Sequence, residues 1–246
     1  MIRWTIPILA TISVVFAAGC TPPNDTDPAR SENVEPLGDV LTSDTQQALT
    51  PDDVLSDLKE GNRRFVDGRL TPRDYLAQAA ASASGQFPKA VILGCVDSRV
   101  PPEIIFDQGI GDVFVGRVAG NFENTDLLGS LEFATKIAGS KLIVVLGHTS
   151  CGAIKGAIAG VDLGNLTAML DNFDDVLEKV NAATSGPDGT TNTELVQAVT
   201  EENVRRTMSD IVSESAVIAE LVENGNLAVV GGIYDLASGR VTWLDS

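Results

Sequence analysis

The stretch Leu142-Ile143-Val144-Val145-Leu146-Gly147-His148-Thr149-Ser150-Cys151-Gly152 decides how this chain folds. Its first five residues are uninterrupted apolar side chains, β-branched at the centre. Such a run reads as a strand covered on both faces, because a strand with one wet face would alternate. The strand ends at Gly147, and a helical pattern runs over Gly152–Ile158. Working outward, comparable short apolar runs occur at Ala90–Leu93, Val113–Val118 and Leu227–Ile233, and Val241–Leu244 is expected to add an edge strand. Helical patterns fall between them at Pro102–Asp107, Leu127–Ala138, Leu166–Val180 and Thr193–Glu223. Strand–helix alternation predicts an α/β fold, a mostly parallel β-sheet flanked by helices with right-handed crossovers.

The folded part is expected to be one domain over residues 50–246. Thr50-Pro51-Asp52-Asp53 is a helix start, with a hydroxyl cap, Pro at the first position and acids in the first turn. A second, Ala-rich helix is expected from Tyr75 to Ser84. Thr184 to Thr191 reads as a surface loop. With 43% hydrophobic and 21% charged residues, the chain can bury a sizeable core. Its 17 Lys+Arg against 34 Asp+Glu give a formal charge of −17, which excludes nucleic acid as a natural partner.

Residues 1–19 read as an export signal. Met1-Ile2-Arg3 is a positive start, and Trp4 to Phe16 is apolar but shorter than the roughly 20 residues that span a bilayer. Ala17-Ala18-Gly19-Cys20 resembles a bacterial lipoprotein cleavage site, with Ala17 where Leu is usual. Lipid on Cys20 would hold the protein at the cell envelope, periplasmic or surface-exposed. Residues 20–49, rich in Pro, Asp, Thr, Ser and Asn, read as a disordered linker with a reach of about 30 Å.

The chemistry is expected where strands end, since ligands of open parallel sheets bind at the carboxyl edge. The strand at Ala90–Leu93 runs into Gly94-Cys95-Val96-Asp97-Ser98-Arg99. The strand at Leu142–Leu146 runs into His148 and Cys151. His148 is the only histidine, and Cys95, Cys151 and Cys20 are the three cysteines. Two thiolates and an imidazole suit Zn²⁺, and three protein ligands leave a fourth position open, the catalytic pattern. The competing reading is a Cys95–Cys151 disulfide, which an exported protein could form. Asp97 and Arg99 lie close enough to share the site. An Arg fork on that carboxylate would hold it off the metal, although an ordinary surface ion pair is the alternative.

Cys95-x-Asp97-x-Arg99-Val100 with His148-x-x-Cys151-Gly152 resembles the β-class carbonic anhydrases. Supporting the resemblance are Gly61-Asn62-x-Arg64-Phe65, Gln86-x-Pro88-Lys89, the run from Asp112 to Asn121, and Gly232-x-Tyr234-Asp235. It implies one Zn²⁺ per subunit on Cys95, His148 and Cys151, with Asp97 and Arg99 as the catalytic dyad. The implied reaction is reversible hydration of CO₂ to bicarbonate and a proton by zinc-bound hydroxide. Zinc lowers the pKa of its bound water from 15.7 to about 7. Thiolate ligands oppose that lowering, which an Asp97–Arg99 pair accepting the hydroxide proton would help offset. The resemblance also places Gln86 as a substrate-binding amide reaching a neighbour's zinc. Phe114 and Ala119 fall at apolar pocket positions, Val being usual at the second. It implies a homodimer with N-terminal helices packing on the partner subunit, and dimers that often pair into tetramers. Ile92 stands where members with an inhibitory bicarbonate pocket carry Trp, so an open site is expected. CS₂ or COS hydrolysis on the same scaffold and a non-catalytic zinc-binding surface lipoprotein are the alternatives.

Overall fold

The computed structural model describes residues 37–180 and 193–245. The export signal, Cys20, most of the linker and the loop expected at Thr184–Thr191 lie outside the described residues. Five strands form one sheet in the order β2-β1-β3-β4-β5: β1 Ala90–Gly94, β2 Val113–Arg117, β3 Leu142–His148, β4 Ala228–Tyr234 and β5 Val241–Trp243. The first four are parallel and β5 returns antiparallel on β4. β1 and β3 are buried at every residue, the reason both were legible as unbroken apolar runs.

Side chains alternate to two faces of the sheet. Ala90, Ile92, Leu142, Val144 and Leu146 face α2 (Pro51–Val66) and α4 (Pro102–Ile105), meeting Val54, Leu58 and Ile105. Val91, Leu93, Ile143 and Val145 face the other layer. It consists of α5 (Thr125–Glu132), α9 (Thr193–Glu214) and α10 (Ala216–Glu223), which contribute Leu131, Val204, Ile211 and Ile218. Each fully buried aliphatic side chain stabilises by about 1.5–3 kcal/mol. A third cluster, with Phe122, Ile154, Phe173, Val176 and Val199, packs beneath Cys95 and Cys151.

Three expectations change. The linker does not extend to residue 49. Leu37 bridges Arg73, and α1 (Ser43–Gln47) starts on a Thr42–Thr45 capping box. Gln46 from α1 is buried, donating to the carbonyls of Pro88 and Ala138 at 2.8 Å each. An apolar-period search cannot see a segment anchored by an amide. The single helix expected over Thr193–Glu223 breaks at Ser215, whose hydroxyl caps Ile218 N and donates to Glu132. Leu166–Val180 divides into α7 (Asn165–Leu170), a 3₁₀ turn and α8 (Asp174–Lys179). Elsewhere α3 (Tyr75–Ser82) and α6 (Gly152–Ile158) form as expected. The Gly231-Gly232 pair reflects close packing, since a Cβ at Gly231 would sit 2.5 Å from Met208 Sδ.

Candidate metal centre and its relatives

β1 and β3 are neighbours in register, Gly94 beside Leu146, so the segments leaving their carboxyl ends emerge together. The donor atoms of Cys95, His148 and Cys151 lie within 4.8 Å of one another, all three residues buried. The two thiols are free, not joined in a disulfide. Local backbone makes this possible. Ser150 turns at φ 56°, the left-handed region, and sends the chain from His148 directly to Cys151 at the start of α6. Cys151 makes no side-chain cap to that helix.

His148 has its Nδ1 3.0 Å from its neighbour Thr149's carbonyl oxygen, which orients the ring, while Nε2 is buried and has no hydrogen-bond partner among the described residues. An unpartnered buried nitrogen costs about 1–3 kcal/mol, and a metal would remove that cost. The sulfurs are prepared in the same sense. Cys95 is drawn well below the ordinary thiol range by a hydrogen bond from Cys151, against the opposing effect of burial. Contacts with His148 and the backbone N–H groups of Gly120 and Asp97 add to it. Cys151 is pushed up by holding the shared proton beside Cys95 and by burial, with the N–H groups of Ile154 and Ala153 acting oppositely. A bound dication would displace that shared proton and be held by two thiolates. A Cys₂His donor set with an orphaned imidazole nitrogen fits zinc.

Asp97 and Arg99 form the expected pair. Arg99 Nε donates to Asp97 Oδ1 at 2.9 Å and Nη2 to Oδ2 at 2.7 Å, and the Arg99 backbone N–H reaches Oδ1 at 2.9 Å. These bonds, chiefly from the Arg99 side chain, hold Asp97 below the usual carboxylate range against partial burial. Oδ2 lies 3.9 Å from His148 Nε2, so the carboxylate stands at the site's edge in a bidentate clamp.

The other predicted residues supply none of the three donors. Gln86 is exposed and makes no hydrogen bond among the described residues. Phe114 is half-buried on β2, its ring edge-on to Phe133 at 6.0 Å. Ala119 is half-buried, next to Gly120. Two contributors were not singled out from sequence. Arg117 donates to the carbonyls of Cys95, Asp97 and Val100 at 2.8, 2.7 and 2.7 Å, gripping the whole loop. The Gly120 N–H donates to Cys95 Sγ at 3.3 Å. Both lie in the Asp112–Asn121 run, where the run of matching residues was the available signal.

A parallel sheet with a Cys₂His cluster at its carboxyl edge and a clamped carboxylate beside it defines a zinc-enzyme architecture. The comparisons specify which. The carbonic anhydrase family profile matches residues 90–241. Carbonic anhydrase 2 of Mycobacterium tuberculosis is 42% identical over 191 residues, 76% of this chain and 90% of that protein. Carbonic anhydrase of Mycolicibacterium smegmatis is 39% identical over 75% of this chain and 88% of its own. Among solved structures, the β-carbonic anhydrase CafA of Aspergillus fumigatus aligns with a TM-score of 0.61 at 29% identity, covering 79% of this chain and 90% of that one. A tetrameric β-carbonic anhydrase of Sordaria macrospora aligns with a TM-score of 0.59 at 28% identity, covering 67% and 84%. The chain belongs to the β-class carbonic anhydrase family.

Proposed function

We propose that this protein catalyses the zinc-dependent, reversible hydration of CO₂ to bicarbonate and a proton. The observation that carries the reading is the convergence of Cys95, His148 and Cys151 with His148 Nε2 unpartnered and Asp97 clamped alongside. When bound, zinc supplies the Lewis acidity that makes a water nucleophilic near neutral pH. Cys95, His148 and Cys151 hold it. Asp97, kept ionised by Arg99, accepts a hydrogen bond from the attacking water and so fixes which lone pair faces carbon. Arg99 clamps that carboxylate at the edge of the site, its Oδ2 3.9 Å from His148 Nε2, a placement that would leave a coordination corner free for water. Arg117 keeps the loop carrying both residues in place.

The exposure of Gln86 supports its service to a partner's site, where its amide would donate to an oxygen of CO₂ or bicarbonate, with Phe114 and Ala119 lining the apolar side. A homodimer, or a pair of dimers, is supported by exposed Tyr75, Leu76 and Ile110 near the free edge of β2. The sequence Ala17-Ala18-Gly19-Cys20 supports an exported protein carried on lipid at Cys20. Among the described residues no helix is long and apolar enough to cross a membrane.

Stopped-flow CO₂ hydration by the purified protein, with zinc content measured alongside, tests the reading. Zinc near one per subunit and activity abolished by Cys95→Ala are expected. A zinc-loaded protein without hydration activity would overturn it. Mass spectrometry of protein recovered from membranes tests the anchor: a diacylglyceryl mass on a chain beginning at Cys20 is expected, and an unmodified N-terminus refutes it.

A further inference from the structure

The loop after β2 carries a chain of contacts from a distant helix to a metal-ligating sulfur. Gly120 stands at φ +92° and Asn121 at φ +47°, two successive residues in the left-handed half of backbone space. A Cβ on Gly120 would lie 2.3 Å from Phe173 Cζ, so this position has no side chain with which to hold itself. Glycine and asparagine both tolerate this backbone, so the peptide between them is placed by its contacts rather than by strain. Outside its own turn, the fixing contact comes from 83 residues away. Asn203, buried on α9, donates its amide Nδ2 to the Gly120 carbonyl at 2.9 Å. The same glycine's N–H points at Cys95 Sγ.

We propose that Asn203 is a positioning residue for the zinc site: by pinning the Gly120–Asn121 peptide it keeps the Gly120 N–H aimed at the Cys95 sulfur. An N–H donated to a zinc thiolate withdraws charge from sulfur, leaves the metal more electrophilic and fixes the ligand's orientation. With two thiolates in the donor set, the site needs that withdrawal more than an all-imidazole site would. The inference rests on zinc binding by Cys95, His148 and Cys151.

The test replaces zinc with Co²⁺ and Cd²⁺ in the full protein. In Asn203→Leu, which keeps the branched outline and removes the donor, the sulfur-to-cobalt charge-transfer band is expected to move to lower energy. Zinc affinity by chelator competition is expected to fall about 10-fold, and the apparent pKa of CO₂ hydration to rise. Asn62→Leu is the control. Asn62 is an equally buried amide bonded to the carbonyls of Ile105 and Gly239 and to Val241 N, outside the metal cluster. It should lose stability without moving the band. Should Asn203→Leu fail to fold, Asn203→Ala in the ¹¹³Cd-loaded protein decides: the scalar coupling expected in the wild type between cadmium and the Gly120 amide proton across the N–H···S bond should shrink once the Asn203 donor is gone, and an undiminished coupling overturns the proposal. An unmoved band and unchanged zinc affinity in a folded Asn203→Leu, or no such coupling in the wild type, overturns the proposal. Failure of the wild type to bind any of the three metals would instead refute the zinc reading itself.

Discussion

Arg117→Met keeps an unbranched, roughly matched side chain at the end of β2 and removes the hydrogen bonds that the Arg117 guanidinium makes. Three carbonyls lose a charged donor: Cys95, Asp97 and Val100. Hydrogen bonds to charged groups contribute about 1.5–3 kcal/mol each. The full sum overstates the cost, because Arg117 is partly exposed and water can reach the Asp97 carbonyl, so we expect about 3 kcal/mol. For a domain of this size that is a fall in Tm of about 6–12 °C, measured at one protein concentration because association shifts Tm. The catalytic cost is separate. Cys95 follows directly on β1 and keeps its place, whereas Asp97 sits where the loop has lost its support. Zinc content should hold while kcat/KM falls about 10–100-fold, the usual range for a supporting residue. Arg117→Lys should restore part of the stability but little of the rate, because one ammonium cannot span three carbonyls. Scanning calorimetry, elemental analysis and stopped-flow hydration make the measurement. An Arg117→Met protein with unchanged Tm and full activity would refute the idea that this guanidinium builds the loop.

Asp107→Asn should destabilise by about 3–5 kcal/mol, because the buried carboxylate is shared by Arg64, Arg73 and Thr71 and its loss leaves cations facing one another. Burial acts to raise the Asp107 pKa, but the bonds from Thr71, Arg64 and Arg73 outweigh it and leave it depressed. Its contribution is therefore present above the unfolded value near 3.9 and lost as pH falls through the lower folded value. Melting curves of wild type and variant should converge toward low pH; a constant gap would contradict this. His148→Ala should lower zinc affinity by more than the roughly 100-fold upper range for supporting residues, read by chelator competition, and zinc retained at wild-type affinity would remove His148 from the ligand set. The chain's only histidine is assigned to the metal, so the proton must leave through water, buffer or a carboxylate. Turnover should rise with buffer concentration at fixed ionic strength, and a flat response when proton transfer is limiting would show an internal shuttle.

How far the site was legible follows from how each residue is held. β1 and β3 are buried on both faces, so their apolar runs announced them, and the cysteines and histidine directly beyond them marked the site. Asp97 and Arg99 were legible because they are local, two residues apart in one loop. Arg117 and Asn203 act on backbone carbonyls, and the Gly120 N–H on the Cys95 sulfur, over 17 to 83 residues of chain. Nothing in a carbonyl's sequence position says which side chain will find it. Gln46 escaped for the same reason: it secures α1 by hydrogen bonds from its side-chain amide to the carbonyls of Pro88 and Ala138, while the surrounding composition reads as linker. The break at Ser215 was hidden because Val and Ile continue the helical period across it, and only the hydroxyl capping Ile218 N interrupts the ladder.

The strand order explains why these long-range contacts cluster on one side of the metal. β1 and β3 occupy the centre of the parallel sheet and carry the ligands, so each ligand segment has an outer neighbour able to steady it. On the β1 side, Val96 N bonds to Val118 O, tying the Cys95 segment to the chain that presents Gly120. On the β3 side, Thr149 N bonds to Tyr234 O, and the Thr149 hydroxyl accepts from Leu236 N at 3.0 Å. The two supports differ in kind. The β3 side extends a regular ladder, and its stability comes from the sheet. The β1 side depends on contacts from outside the ladder: Arg117 grips the Cys95–Val100 loop, and Asn203 holds the left-handed Gly120–Asn121 turn, which packs on Phe173. Substitutions that tune the metal without unfolding the protein are therefore to be sought along β2 and its following loop, because a change along β3 or β4 cannot reach the ligands without also disturbing the core.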